Sequence, residues 1–132
     1  MAELLVPISP GELIDKITIL EIKSARMTDG VKLHNVRTEL TLLTETWNAS
    51  EYSRKGDIAA EWAGLREVNG QLWDIEDAIR DKERDGQFDA RFIELARAVY
   101  VTNDERAALK RRINTKLGSA LVEEKSYKEY KK

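Results

Sequence analysis

The chain has 132 residues, of which 42% are hydrophobic and 35% are charged, and its formal net charge is −2. This length and balance fit one domain of long amphipathic helices with solvated outer faces. Cysteine is absent, which excludes disulfides and thiolate metal sites, and the single histidine argues against a zinc centre. Because the basic and acidic residues are interspersed, we expect no nucleic-acid partner.

The ends of the chain predict no targeting or membrane segment. Residues 1–8 lack a basic start and a long apolar run, so they do not resemble a secretory signal. No stretch approaches the ~20 apolar residues that a membrane-spanning helix needs. We therefore expect a cytoplasmic protein with no membrane span. Residues 1–132 would form a single helical domain, with 1–8 as an extended lead-in and 120–132 as a polar tail.

The first helix is predicted from its start signals. Ser9 can accept from a backbone N–H of the first turn, and Pro10 suits the first helical position. Glu12 has the spacing of a capping box, in which its carboxylate would return a bond to the Ser9 N–H. We predict that this helix runs from Pro10 to Met27.

Apolar residues occur on two faces of this helix. One stripe contains Leu13, Ile17 and Leu20, whereas Ile19 and Ile22 point elsewhere. A helix with two apolar faces is usually buried on two sides. It is therefore central in the fold or covered by a second chain, and the leftover Ile19 and Ile22 predict a homodimer.

Three further helices follow from the apolar periodicity. The second, about Val31 to Trp47, has the stepping of a short coiled-coil seam and fits an antiparallel hairpin with the first helix. The third extends from Asp57, its predicted N-cap, to about Arg84. The fourth starts at Asp89, continues or kinks through residues 102–106 and ends at Gly118. The predicted fold is all-α, an up-and-down bundle of about four helices with long antiparallel hairpins.

The candidate site lies on the third and fourth helices. Spacings of four, three and four residues place an amide, an indole, a carboxylate and a guanidinium on one face of the third helix. Helix bundles build small-molecule sites from such inward polar groups. The candidate ligand-binding residues are Asn69, Trp73, Glu76, Asp77, Arg80, Asn103 and Arg106, with Lys110 on the same stripe as Arg106.

A structural interpretation competes with this site, and we favour it. The apolar stripe from Leu65 to Ile79 can be the real core face, in which case the polar residues only flank it. Glu76 and Arg80 then form an ordinary i,i+4 pair or fix the packing register.

A metal site is a weaker alternative. It would use Glu76 and Asp77 with Asp74 or Glu105, but adjacent carboxylates on a helix point in different directions. The Glu-x-x-His pairs of di-iron bundles are also absent. We expect no metal, no cofactor and no catalytic residue.

Two stretches resemble a known family. The segments Ser9–Glu21 and Phe92–Asn114 resemble small bacterial helical proteins of unknown function, and the segment Leu72–Asp77 fits the same likeness. The segment Leu72–Asp77 is also similar to an Asn-Leu-Trp…Glu-Asp…Arg motif of another uncharacterised helical family. The resemblance covers most of the chain and implies an association with cell-surface polysaccharide and glycosyltransferase functions, but no activity.

Two classes of function stay open. The favoured one is a non-enzymatic interaction or scaffold module that acts as an oligomer, with a further protein partner as an option. The alternative is a binder or enzyme for a phosphorylated or sugar-containing small molecule. In that case Arg80 and Arg106 would hold anionic groups, and Glu76 would accept a proton or a hydroxyl. A binder should have a pocket ringed by Asn69, Trp73, Glu76 and Arg106, whereas a scaffold should have these side chains paired or solvated.

Overall fold

The computed structural model describes residues 3–131 of the chain. Four helices pack against one another, and no strand occurs within these residues, so the predicted all-α class is confirmed. The helices are α1 (Pro10–Arg26), α2 (Gly30–Ala49), α3 (Ala59–Arg84) and α4 (Ala90–Leu117), and a short 3-10 turn (Glu51–Arg54) follows α2. Residues 3–8 and 119–131 carry no helix. The parts of the predicted lead-in and tail at residues 1, 2 and 132 lie outside the described residues.

Helix α1 is the centre of the molecule. It packs against α2 on one side and against the antiparallel α3–α4 pair on the other. The core that results contains Ile14, Ile17, Leu65 and Ile113, all essentially inaccessible to solvent. The prediction of a helix buried on two sides is therefore confirmed, and the second face of α1 is covered by its own chain.

This arrangement removes the basis on which the dimer was predicted. Ile22 is buried and Ile19 is half-buried within a single chain, so neither requires a second chain to cover it. The apolar seam of α2 packs against α1 in the same way, with Val36 and Trp47 buried. The homodimer itself stays a prediction.

The start of α1 matches the sequence prediction in part. The Ser9 hydroxyl accepts from the Glu12 N–H at 3.2 Å, and Pro10 is the first helical residue. The return bond of the capping box does not form, because the Glu12 carboxylate lies 2.7 Å from Lys110 Nζ on α4 instead. A long-range ion pair has replaced the local bond.

The ends of the longer helices follow their local signals, with one exception. Asp89 caps α4 by accepting from the Phe92 N–H at 3.0 Å, and Gly118 ends α4 with a left-handed φ of 66°. Helix α4 is continuous through Thr102, which is buried. The prediction of Asp57 as N-cap of α3 is wrong: Ile58 occupies that position and is buried in the core. Core burial of Ile58 has moved the helix start, although Asp57 Oδ1 still accepts from the Ala59 N–H at 2.9 Å.

Helices α3 and α4 extend beyond α1. Arg26, the last residue of α1, pairs with Asp74 of α3 at 2.5 Å. We call residues 75–101 the outer hairpin; within it Leu95 is the one buried residue. The apolar stripe predicted for α3 is therefore buried at Leu65 and Val68 but only half-buried from Leu72 onward.

No helix within residues 3–131 is both long and apolar enough to span a lipid bilayer.

Candidate functional site

The second face of α1 carries polar residues into the bundle. Gly11, Asp15 and Thr18 follow one another at spacings of four and three residues, so they form one row that faces α3 and α4. All three are buried, and the Asp15 residue has 0% of its surface exposed. Burying a carboxylate is costly unless charged and hydrogen-bonding partners surround it.

Asp15 is surrounded by such partners. The Arg106 guanidinium of α4 donates to both carboxylate oxygens, from Nε to Oδ1 at 2.9 Å and from Nη2 to Oδ2. Asn69 of α3 donates its amide to Asp15 Oδ1 at 2.9 Å and to Thr18 Oγ1 at 3.0 Å. We call Asp15, Thr18, Asn69 and Arg106 the Asp15 cluster. It links three helices through one carboxylate.

The cluster keeps its two charges at neutral pH. Burial alone would raise the pKa of the Asp15 carboxyl, but the hydrogen bonds from Arg106 and Asn69 outweigh it, and the pKa is lowered. The hydrogen bond to Asp15 raises the pKa of Arg106 in turn, despite partial burial. The pair is a bidentate, charge-assisted contact, which is among the stronger polar interactions in proteins.

A second ion cluster lies one turn along α4. Lys110 is only 6% exposed, and its Nζ lies 2.7 Å from a Glu12 oxygen and 2.6 Å from a Glu123 oxygen. Burial would lower the pKa of Lys110, but the two carboxylates outweigh it and raise the pKa. Glu123 belongs to the segment after α4, so this contact also holds the tail against the bundle.

The first turn of α1 touches α4 directly. The Gly11 N–H donates to Asn114 Oδ1 at 2.8 Å, so a side chain of α4 satisfies one of the free N–H groups at the start of α1. Asn114 is buried, and its Nδ2 has no acceptor among the described residues. A Cβ at Gly11 would lie 2.5 Å from the Lys110 carbonyl oxygen. Glycine is therefore required for this close contact.

The Asp15 cluster contains two of the predicted site residues. Asn69 and Arg106 both bind Asp15, a residue that the prediction did not include. Asn103 is exposed on α4 and lines the cleft described below.

The other four predicted site residues lie farther along α3. Glu76 and Arg80 form an exposed i,i+4 pair at 3.1 Å. Trp73 is half-buried under the Arg26 guanidinium, whose carbon lies 5.8 Å from the ring centroid. Asp77 is exposed. These four side chains do not converge on the Asp15 cluster.

Four buried polar residues were missed from the sequence: Asp15, Thr18, Glu61 and Asn114. A usable signal was present for the first two, because they interrupt the most apolar helix at spacings that share a face with Ile22. Polar residues on a face that is otherwise apolar indicate a buried polar contact. Asn114 carried no comparable signal.

A cleft lies between α4 and the segment that follows it. Its volume is about 780 Å³. The segment lies along α4 through a Lys125–Asp104 ion pair and an edge-to-face contact between Tyr100 and Tyr130, whose ring centroids are 5.0 Å apart. The cleft is lined by residues of both α4 and the segment, including Tyr100, Asn103, Arg106, Lys110, Lys125 and Tyr127. We call this space the tail cleft.

A family model described as a family of unknown function, DUF6165, matches residues 4–130. The chain belongs to this family. The resemblance to uncharacterised proteins is thereby confirmed, since the DUF6165 match spans nearly the whole chain. No curated protein and no solved structure matches the chain significantly.

Within this DUF6165 chain, the polar side chains of the Asp15 cluster bind one another. The Asp15 cluster joins two charged groups, an amide and a hydroxyl that each have a partner. Within residues 3–131, no three His, Asp or Glu side chains gather closely enough to share a metal ion. At this site a buried ion pair and its hydrogen bonds connect α1 to α3 and α4.

Proposed function

We propose that the protein is a non-enzymatic interaction module of the cytoplasm that acts as a homodimer. One observation carries the non-enzymatic part of this proposal: Arg106, the guanidinium expected to hold an anionic ligand, is bound by the fully buried Asp15. A ligand that recruited Arg106 would leave that carboxylate buried and unpaired, which is strongly unfavourable. The polar residues at the centre of the bundle therefore support the fold rather than turnover of a substrate.

The outer hairpin supports the interaction role. It carries large apolar side chains in solvent, including Phe88 at 60% exposure and Ile93 at 58%. Apolar side chains left in solvent on a helical protein are available for a protein contact. A homodimer is the simplest form of such a contact, because most soluble oligomers are symmetric copies of one chain.

Light scattering coupled to size-exclusion chromatography tests the homodimer. Across loading concentrations from about 1 to 100 µM, a range that covers a micromolar dissociation constant, we expect the mass to rise from one chain towards two. A mass of one chain throughout this range would refute the homodimer. The interaction role would then require a different protein as partner.

The tail cleft supports a second candidate, the binding of a phosphorylated or sugar-containing small molecule. Lys110 and Asn103 line this space, and its volume suits a compact ligand. An anionic group entering the cleft would compete with Glu123 for Lys110. A role in cell-surface polysaccharide metabolism, which the family resemblance implies, would belong to this candidate.

A thermal-shift screen with nucleotides, sugar phosphates and divalent ions tests the cleft. A ligand present at 100 times its dissociation constant stabilises the folded state by about 2.7 kcal/mol, which gives a clear rise in the melting temperature. A hit whose effect is lost in Lys125→Ala would support the cleft. A screen without any rise in melting temperature would reject this candidate.

A further inference from the structure

One face of α4 in the outer hairpin points away from the bundle and is self-complementary. Ile93 and Val101 are exposed on it at 58% and 38%, and small alanines lie beside them. A shallow groove of about 360 Å³ runs over this face. Thr102 also lines the groove but is buried. We call the other six lining residues the outer stripe: Ala90, Ile93, Glu94, Arg97, Ala98 and Val101.

We infer that the outer stripe binds the same stripe of a second copy of this chain, with the two α4 helices antiparallel. The inference rests on the homodimer proposed above and names its contact surface. A two-fold axis between Leu95 and Ala96 places Ala90 level with Val101 of the second copy. It likewise places Ile93 level with Ala98, and Glu94 level with Arg97.

Two of these pairs lie at the centre of the stripe and are matched. The large Val101 meets the small Ala90, which is how helix surfaces interdigitate. A carboxylate meets a guanidinium in the pair Glu94–Arg97. Ile93 and Ala98 lie on opposite edges of the stripe and do not meet. Because a two-fold axis repeats each central pair, four matched contacts result from one stripe. This complementarity of the stripe to itself favours a second copy over a partner of another sequence.

The charged side chains of the stripe are free to form these pairs. In the single chain Glu94 contacts the exposed Arg91 at 2.9 Å, and Arg97 Nε lies 3.4 Å from the Tyr100 hydroxyl oxygen. Contacts between exposed side chains such as these contribute little to stability. Exchanging them for contacts across a two-fold interface therefore costs little.

Charge reversal tests the inference. Residue 94 of each copy faces residue 97 of the other copy. Glu94→Arg therefore places two guanidinium groups opposite each other in both 94–97 pairs, and Arg97→Glu places two carboxylates opposite each other there. Each single variant should weaken self-association by at least about tenfold, the effect of one strong charge pair turned repulsive. Mixing the two variants should restore association, because every 94–97 pair in the mixed dimer is attractive. The variant with both reversals should also dimerise.

Sedimentation velocity at a fixed micromolar concentration gives the readout, and circular dichroism checks that each variant is folded. Glu67→Arg, an equal charge reversal on an exposed position of α3, is the matched control and should keep the wild-type behaviour. If the wild-type chain dimerises but the single reversals and their mixture behave like the control, the outer stripe is not the interface and the homodimer stands. If the wild-type chain is monomeric, both the homodimer and this inference fail.

Discussion

Gly11 couples two helices through the absence of a side chain. Its N–H binds Asn114 Oδ1, and the Lys110 carbonyl oxygen occupies the space where a Cβ would lie. Gly30, at the start of α2, has nothing within 4 Å of its own Cβ position. The two glycines therefore serve as a matched pair of positions near helix starts, one crowded and one open.

We expect Gly11→Ala to lower the free energy of unfolding by about 1–3 kcal/mol, because the added methyl group forces a packed backbone apart. Gly30→Ala should be neutral or slightly stabilising, since alanine restricts the unfolded chain and favours the helix. Urea unfolding followed by circular dichroism measures both. Equal stabilities for the two variants would show that α1 and α4 are not in close contact at Gly11.

The Ser9 cap is local and was therefore visible in the sequence. Replacing Ser9 with Ala removes the acceptor of the Glu12 N–H and should cost about 1 kcal/mol. Thr46→Ala, which removes a hydroxyl from the exposed surface of α2, is the control and should not destabilise the protein. Unchanged thermal unfolding of the Ser9 variant would mean that the helix does not start there.

The Asp15 carboxyl makes stability depend on acidity in a defined direction. Its pKa in the folded state lies below the ordinary value of 3.8. Its contribution to the free energy of unfolding is thus fully present above pH ~4 and is lost as the pH falls through the folded-state pKa. We expect urea unfolding between pH 5 and 2, the acid range in which paired carboxylates lose their charge, to show a steeper loss of stability for the wild type than for Asp15→Asn. Asp77→Asn, at an exposed position, should keep the wild-type slope. Identical slopes for all three proteins would contradict the buried ion pair.

At the scale of elements, helix identity and most helix ends follow from local chemistry. Asp89 and Gly118 act as the sequence predicts, because a cap depends on bonds within a few residues. Asp57 does not, because burial of the neighbouring Ile58 outweighs a cap bond. Helix spacing also shows which residues share a face, but it does not show whether another helix covers that face.

That distinction explains why the predicted site residues lie apart in the structure. Asn69, Trp73, Glu76 and Arg80 do follow one another at helical spacing, but α1 ends at Arg26, beside Asp74. Asn69 is consequently buried, whereas the residues of α3 beyond Asp74 face solvent or only helix α4. The length of α1 decided the outcome, and no residue of α3 carries that information.

The outer hairpin should be the more mobile part of α3 and α4. Residues 75–101 contain a single buried residue, Leu95, and lie beyond the cover of α1. Opening there exposes little apolar surface, so we expect amide hydrogens of residues 75–94 to exchange faster than those of residues 59–74 and 102–117. Hydrogen exchange read by mass spectrometry, at low protein concentration to keep the chain monomeric, measures this. Uniform protection along both helices would show that the hairpin is covered.

At the scale of the whole molecule, the Asp15 cluster joins distant parts of the chain. Asn69 and Arg106 lie 54 and 91 residues from Asp15 in the sequence. The sequence placed Asn69 and Arg106 in one candidate group from their helical faces. It could not supply Asp15 as the group between them, because pairing over such separations depends on the packing of all the helices.

The central claim is that these polar residues fasten α1 to the α3–α4 pair rather than serve a ligand. A double-mutant cycle with Asp15→Asn and Arg106→Met, measured by urea unfolding at pH 7, tests it most directly. We predict a coupling free energy of about 1.5–3 kcal/mol, the range for hydrogen bonds between charged groups. Effects that add to within about 0.5 kcal/mol would show that Asp15 and Arg106 do not stabilise the fold as a pair and would contradict the claim.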